Sequence, residues 1–203
     1  MAVSSLARPI PRSLPRLAAG AVLLLLVAAV YYLGVRTYPG QFLDNDVMRA
    51  VSGWFGIDVP NRGLLGQIQL PAFGAALAVL TAVLLIRPSP RHIGHAAVVV
   101  IGTVAVASLL KNSLERPSWG IGAGINSFPS NTVAAFVAVE CAIVAAVSSA
   151  VRRWVGAAAT IVAGALCVAV IALQWHRPAD VVGALLLPSA ISLISSALFL
   201  DDE

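Results

Sequence analysis

Six long apolar runs dominate this 203-residue chain and restrict what it can fold into. The runs are 17–35, 70–86, 94–114, 130–151, 155–175 and 179–200. A helix needs about 20 mainly apolar residues to cross the hydrocarbon of a bilayer. Charged residues make up only 11% of the chain, whereas they supply about a quarter of a soluble domain. We therefore expect an all-α, polytopic membrane protein that folds as a six-transmembrane-helix bundle over residues 17–200.

The arginines between the apolar runs predict how the bundle is oriented. Short cytoplasmic loops carry an excess of Lys and Arg. A cytoplasmic N-terminus places three basic stretches on the same side, namely the N-terminal segment 1–16, the loop 87–91 and the pair Arg152 and Arg153. Six spans then return the C-terminus, with its acidic tail 201–203, to the cytoplasm. The alternative for the first run is a cleaved signal peptide, because basic residues precede it.

The longest polar connection, residues 36–69, falls on the outer side in this arrangement. Its apolar residues recur at helical spacing, with charged residues between them: Leu43, Val47, Val51, Trp54 and Phe55. This pattern predicts an amphipathic helix that lies on the membrane surface. Such a helix either caps the bundle or gates access to a site.

Several polar residues collect at the outer ends of the predicted helices. Charged groups near the hydrocarbon are costly and tend to mark functional sites. Lys111 and Arg116 end the third run, and both are donors suited to phosphate. Ser130 and Asn131 open the fourth run, where free backbone amides attract an anion.

The segment between the fifth and sixth runs carries a possible nucleophile. His176 can act as nucleophile or base, and Asp180, four residues later, can orient its imidazole. Arg177 is the neighbouring cation. Each of these residues also has a structural interpretation, such as a helix cap or an ion pair between Lys111 and Glu115. As a set they predict a phosphate site at the membrane surface.

Three segments together resemble the type 2 phosphatidic-acid phosphatase family, an all-helical membrane family related to vanadium haloperoxidases. They are 111–117 (KNSLERP), 127–132 (SFPSNT) and 175–183 (WHRPADVVG). The resemblance implies that His176 attacks phosphorus to form a phosphohistidine and that Asp180 holds its imidazole. It also implies that Lys111, Arg116 and the Ser130 hydroxyl bind the phosphate oxygens. Substrates in such a family are lipid monophosphates or diphosphates, and hydrolysis needs no metal or other cofactor.

The chain departs from the family pattern at three points. The second family motif is Pro-Ser-Gly-His, whereas Asn131 and Thr132 stand where Gly and His would be. The alternative is a one-residue deletion, which places Asn131 alone opposite that pair. The missing histidine normally protonates the leaving group, and general-acid catalysis contributes roughly a hundred- to ten-thousandfold. Val170 replaces a phosphate-binding arginine, for which Arg177 could substitute, and four residues rather than six separate Lys111 from Arg116.

Two main hypotheses follow for function. The first is an integral membrane lipid phosphatase that hydrolyses a lipid phosphate, or a polyprenyl phosphate or diphosphate, at the non-cytoplasmic face. The alternative is a catalytically impaired relative that serves as an accessory subunit beside another membrane protein. A third possibility, a transporter or channel, has only the intramembrane Glu140 in its favour.

The remaining residues indicate partners and location. The basic residues are scattered between apolar runs, so we expect membrane lipids as partners and no nucleic acid. The Ala- and Val-rich composition is associated with GC-rich bacterial genomes, which indicates a bacterial plasma membrane. Cys141 and Cys167 lie within apolar runs and are interpreted as packing residues, and His92 and His95 as ordinary interfacial residues.

Overall fold

The computed structural model describes residues 13–57, 63–122 and 124–200. This part of the chain contains seven α-helices and no strand. The helices are α1 (Ser13–Val30), α2 (Tyr38–Trp54), α3 (Leu64–Ile86), α4 (Pro90–Ser113), α5 (Asn131–Ala146), α6 (Ser149–Ala172) and α7 (Pro178–Phe199). A π-helical turn, Tyr31–Val35, extends α1. Most of the predicted basic N-terminal segment (residues 1–12) and the acidic tail 201–203 lie outside the described residues.

Five of the described helices are long and apolar enough to cross a membrane: α1 with its π-helical turn, α3, α4, α6 and α7. This agrees with the expected all-α membrane protein. Helix α5 is apolar but has only 16 residues, which corresponds to about 24 Å of helix at 1.5 Å per residue.

Two helix boundaries differ from the sequence prediction. Helix α3 begins at Leu64 and contains Pro71, so the proline does not mark its start. Helix α5 ends at Ala146 rather than near residue 151. The last carbonyl groups of a helix lack intrahelical donors, and Arg152 Nη2 donates to the Val147 carbonyl at 3.1 Å. Val147 and Ser148 are extended here, and α6 begins at Ser149.

Helix α7 is the centre of the packing, because it contacts α1, α4 and α5. Small residues allow the close approach, as is usual for helices in lipid. A Cβ on Gly20 would lie 2.6 Å from Ile194 Cγ1, and a Cβ on Gly183 would overlap the Phe128 ring. Helix α6 does not pack closely on α7; it packs on α5 and α2 instead.

Helix α2 buries its polar face and exposes its apolar face. Gln41 and Asp44 are buried, whereas Leu43 is 65% and Trp54 is 83% exposed. Gln41 Nε2 donates to the carbonyls of Val35 and Pro117, both at 2.8 Å. A helix predicted within 36–69 is thus present, and its outward apolar face suits contact with lipid rather than water.

Candidate functional site

Asp180, in the first turn of α7, is fully buried and joins three parts of the chain. Its Oδ1 accepts from Arg116 Nη2 at 2.5 Å, and both side chains of this ion pair are shielded from solvent. Its Oδ2 accepts from Ser127 Oγ at 2.5 Å and from the Arg177 amide at 3.2 Å. The segment between α4 and α5 is therefore tied to the start of α7.

The start of α7 also binds a second carboxylate. Pro178 occupies the first turn, where its missing N–H costs nothing, and an acid suits the positive end of the helix. Asp44 Oδ1, on α2, accepts from the Ala179 amide at 2.7 Å. Burial raises the pKa of Asp44 to about 7, although the hydrogen bond from Ala179 lowers it in part. The nearby charge of Asp180 raises that pKa further.

His176 lies in the tight turn between α6 and α7. The amides of Trp175 and His176 both donate to the Val170 carbonyl, and Gln174 adopts a φ of 56° within the turn. His176 Nδ1 lies 3.6 Å from Asp180 Oδ2, which is beyond hydrogen-bond distance. Nδ1 is buried and has no hydrogen-bond partner among the described residues. The predicted pair of His176 and Asp180 is thus adjacent but not directly hydrogen-bonded.

A cavity of about 660 Å³ lies at this end of the bundle and contains much of the predicted site. Four of the predicted residues line it: Lys111, Thr132, His176 and Arg177. The cations Lys111 and Arg177 are joined there by Arg49 of α2, and no carboxylate is among the described residues that line the cavity. The cavity thus offers three cations and an imidazole, an arrangement that favours an anion.

Arg116, Ser130 and Asp180 are buried and do not line this cavity. Ser130 Oγ accepts from the Val133 amide at 3.4 Å, so its hydroxyl caps α5. The Ser130 amide donates to the Asp180 carbonyl at 3.0 Å. These three residues therefore pack behind the residues that line the cavity and do not contact its interior.

Asn131 contacts a neighbouring helix. Its Nδ2 donates to Ser108 Oγ of α4 at 3.5 Å. Its Oδ1 is buried and has no hydrogen-bond partner among the described residues. Asn131 does not line the cavity, and its contact with phosphate stays a prediction.

Residues between α4 and α5 contact the backbone of Lys111 and the guanidinium of Arg177. Asn126 Nδ2 donates to the Lys111 carbonyl at 3.1 Å, and its Oδ1 accepts from the Phe128 amide at 3.1 Å. Arg177 Nη2 donates to the Ile121 carbonyl at 3.1 Å. Gly122 has a φ of 64°, and a Cβ there would lie 2.6 Å from Arg177 Nη2. Glycine is therefore required beside the arginine.

Other cavity residues carry no role in the sequence interpretation. The polar ones include Asn45, Arg49, Gln69, Asn126 and Ser127. Gln69 Oε1 accepts from Thr132 Oγ1 at 3.4 Å, which joins α3 to α5. The polar face of the amphipathic α2 is the one signal that could have identified Asn45 and Arg49.

The remaining polar residues lie in other environments. Glu115 pairs with Arg36 at 3.3 Å, and no ion pair joins it to Lys111 within the described chain. His92 and His95 are buried, and His95 Nδ1 lies 3.0 Å from Ser195 Oγ. Both cysteines are free. Over residues 13–57, 63–122 and 124–200, no group of three or more His, Cys, Asp or Glu side chains is arranged to hold a metal ion.

Comparison of the chain with protein-family models, with curated proteins and with solved structures finds no match.

Proposed function

We propose that this protein is an integral membrane lipid phosphatase, a metal-independent phosphoric ester hydrolase of the type 2 phosphatidic-acid phosphatase kind. Its substrate is a lipid phosphate, or a polyprenyl phosphate or diphosphate. One observation carries the proposal: His176 and the cations Arg49, Lys111 and Arg177 line the same cavity without a lining carboxylate among the described residues.

The proposed topology has six spans, in which the short helix α5 is the fourth span and both termini are in the cytoplasm. Arg16, Arg87 and Arg152 line a cavity at the end of the bundle opposite His176. Cytoplasmic loops are rich in such residues, so the arginine end faces the cytoplasm and the His176 cavity opens to the other side. The exposed Trp54 and Phe55, at the end of α2, then lie at the outer interface, where aromatic residues are favoured.

In the proposed reaction His176 is the nucleophile. Its buried Nδ1 lies next to Asp180, which leaves Nε2 for the phosphorus atom. Nε2 attacks phosphorus, the bond from phosphorus to the leaving oxygen breaks, and a phosphohistidine forms. The carboxylate of Asp180 stabilises the positive imidazole, as in other histidine and aspartate pairs. Water then attacks the phosphohistidine and releases inorganic phosphate.

The cations stabilise the charge that develops on the phosphate oxygens. Lys111, Arg49 and Arg177 bind these oxygens directly in the proposal. Arg116 has two buried nitrogens, Nε and Nη1, without a hydrogen-bond partner among the described residues. A phosphate oxygen that entered between Arg116 and the cavity would satisfy one of them, while Nη2 keeps its bond to Asp180.

The leaving group decides which substrates suit the site. Thr132 contacts Gln69, and neither side chain can donate a proton as an acid. A leaving alkoxide, which needs a proton, therefore receives little help. The phosphate leaving group of a diphosphate ester needs less protonation, so we propose that diphosphates are hydrolysed faster than monophosphates.

The test is phosphate release by the purified protein in detergent from short-chain lipid monophosphates and diphosphates. We expect His176→Asn to reduce release to background and Lys111→Ala to reduce it strongly. His92→Asn is the matched control, because His92 is buried at the opposite end of the bundle, and it should retain wild-type release. Equal release by the wild type and His176→Asn would refute catalysis at this cavity.

A second candidate is a non-catalytic subunit that binds a phospholipid headgroup in the same cavity. It is favoured by the hydrogen bond from Ser127 to Asp180 Oδ2, because this oxygen is then shared rather than reserved for His176. Thr132→His separates the two candidates. A large gain in phosphate release supports the enzyme, whereas no gain, with stable co-purification of another membrane protein, supports the subunit.

A further inference from the structure

A second cavity, of about 970 Å³, lies at the end of the bundle away from His176. It is bounded by α5 and α7 on one side and by α6 on the other. Helix α6 packs on α5 and α2, and the cavity separates it from α7. The proposed phosphatase activity does not use this space.

Three cations from different parts of the chain line this cavity near the helix ends. Arg16 comes from α1, Arg87 follows the end of α3, and Arg152 comes from the first turn of α6. Arg152 Nη2 donates to the Val147 carbonyl at 3.1 Å, which holds the arginine beside the end of α5. A cavity lined by several cations attracts an anion.

The lining changes in character with depth. Glu140 lies six residues before the end of α5 at Ala146, so it is about 9 Å deeper than the rim. Ser192 and Thr160 line the cavity with it. Val137 and Leu185, which also line the cavity, make its depth apolar. The cavity thus has a cationic rim, a polar middle and an apolar depth.

We infer that this cavity binds an anionic phospholipid. The phosphate lies between the rim arginines, the polar neck of the lipid donates a hydrogen bond to Glu140, and one hydrocarbon chain lies along α6. The order of phosphate, polar neck and chain matches the order of the lining. A cavity of this volume is in the range that binds an amphiphile. Free phosphate would leave the apolar depth unfilled.

The surface of α6 leaves room for the hydrocarbon chain of the lipid. Gly156 lines the cavity, and a Cβ placed on it meets no atom within 4 Å. A larger side chain there would enter the cavity without displacing a neighbouring helix. Gly102 of α4 has the same open surroundings but does not line the cavity, so it provides a matched control.

Selectivity for an anionic headgroup is tested by native mass spectrometry. The detergent-solubilised protein is incubated with phosphatidylglycerol or with phosphatidylcholine, and the lipid that stays bound is measured. The wild type should retain phosphatidylglycerol in preference to phosphatidylcholine. Hydrogen bonds to charged groups are strong, so Arg87→Gln and Arg152→Gln should each weaken phosphatidylglycerol binding about tenfold. Arg153→Gln removes the adjacent charge, which stacks on Trp154 outside the cavity, and should have no effect.

The position of the lipid's hydrocarbon chain along α6 is tested by Gly156→Leu. Gly102→Leu is the control, and inorganic phosphate is a second probe. We expect Gly156→Leu to weaken phosphatidylglycerol binding about tenfold or more, and Gly102→Leu to leave it unchanged. Equal retention of the two lipids by the wild type would overturn the inference, and this measurement needs no variant. Unchanged lipid binding by Gly156→Leu, with full competition by inorganic phosphate, would also overturn it in favour of a free-anion site.

Discussion

The buried ion pair between Arg116 and Asp180 predicts a strong energetic coupling between two distant parts of the chain. Both side chains are shielded from solvent, and the Nη2 to Oδ1 distance is 2.5 Å. Removing one partner of a buried ion pair costs about 3–5 kcal/mol, because the other charge is left uncompensated. Arg116→Met and Asp180→Asn should each lower the free energy of unfolding by this amount.

The double variant separates coupling from general damage. If the two residues acted independently, the costs would add to about 6–10 kcal/mol. Because the double variant leaves no unpaired charge, we expect it to cost about as much as one single variant. The coupling energy is then about 3–5 kcal/mol, which is large enough to measure.

The assay is unfolding of the detergent-solubilised protein in increasing sodium dodecyl sulfate, followed by tryptophan fluorescence. The pair Arg36 and Glu115 provides the control, because its side chains are 38% and 86% exposed. Exposed pairs contribute at most about 1 kcal/mol, so Arg36→Met with Glu115→Gln should show little coupling. Additive costs for Arg116 and Asp180 would refute the structural role assigned to this pair.

Two further predictions concern the surroundings of the site. Burial raises the pKa of Asp44 to about 7 from an ordinary value of 3.8. Between these values the folded state holds more protons than the unfolded state, so stability falls as the pH rises, by at most about 1.4 kcal/mol per pH unit. Unfolding measured from pH 5 to pH 8 should show this decline, and Asp44→Asn should reduce it; an unchanged slope would contradict the assignment. Gly122→Ala should displace Arg177 from the Ile121 carbonyl, since a Cβ there would lie 2.6 Å from Nη2. We expect it to weaken phosphate binding about tenfold through loss of a charged hydrogen bond, measured by titration calorimetry. Gly120→Ala is the control, because Gly120 has a similar φ of 73° and a Cβ there meets no atom within 4 Å. Equal effects of the two variants on phosphate binding would show that backbone strain alone is responsible.

Hydropathy predicts the helices of this protein better than it predicts their ends. A span is defined by a sum over many apolar residues, so errors at single positions have little effect. The end of α5 depends on a few backbone angles: Val147 and Ser148 are extended, the helix stops at Ala146, and Arg152 donates to the Val147 carbonyl. The only mark in the sequence is the pair Ser148 and Ser149, which interrupts the apolar residues directly after this point.

For the candidate site, the sequence indicates residue types but not the direction in which their side chains point. The sequence indicates the residue types suited to phosphate, and four of the predicted residues, Lys111, Thr132, His176 and Arg177, do line one cavity. The separation of residues along the sequence does not determine which side chains face the cavity. Ser130 caps its own helix, and Arg116 turns toward Asp180.

The composition and the apolar runs alone determined that this chain forms long helices suited to lipid, because the driving force for such helices is local to each run. The order of polar residues at the helix ends also followed from the sequence. Only the tertiary structure decided that Asp180 binds both Arg116 and Ser127, that α2 turns its polar face inward, and that two cavities lie at opposite ends. Those features arise from contacts between residues far apart in the chain, so no local pattern encodes them.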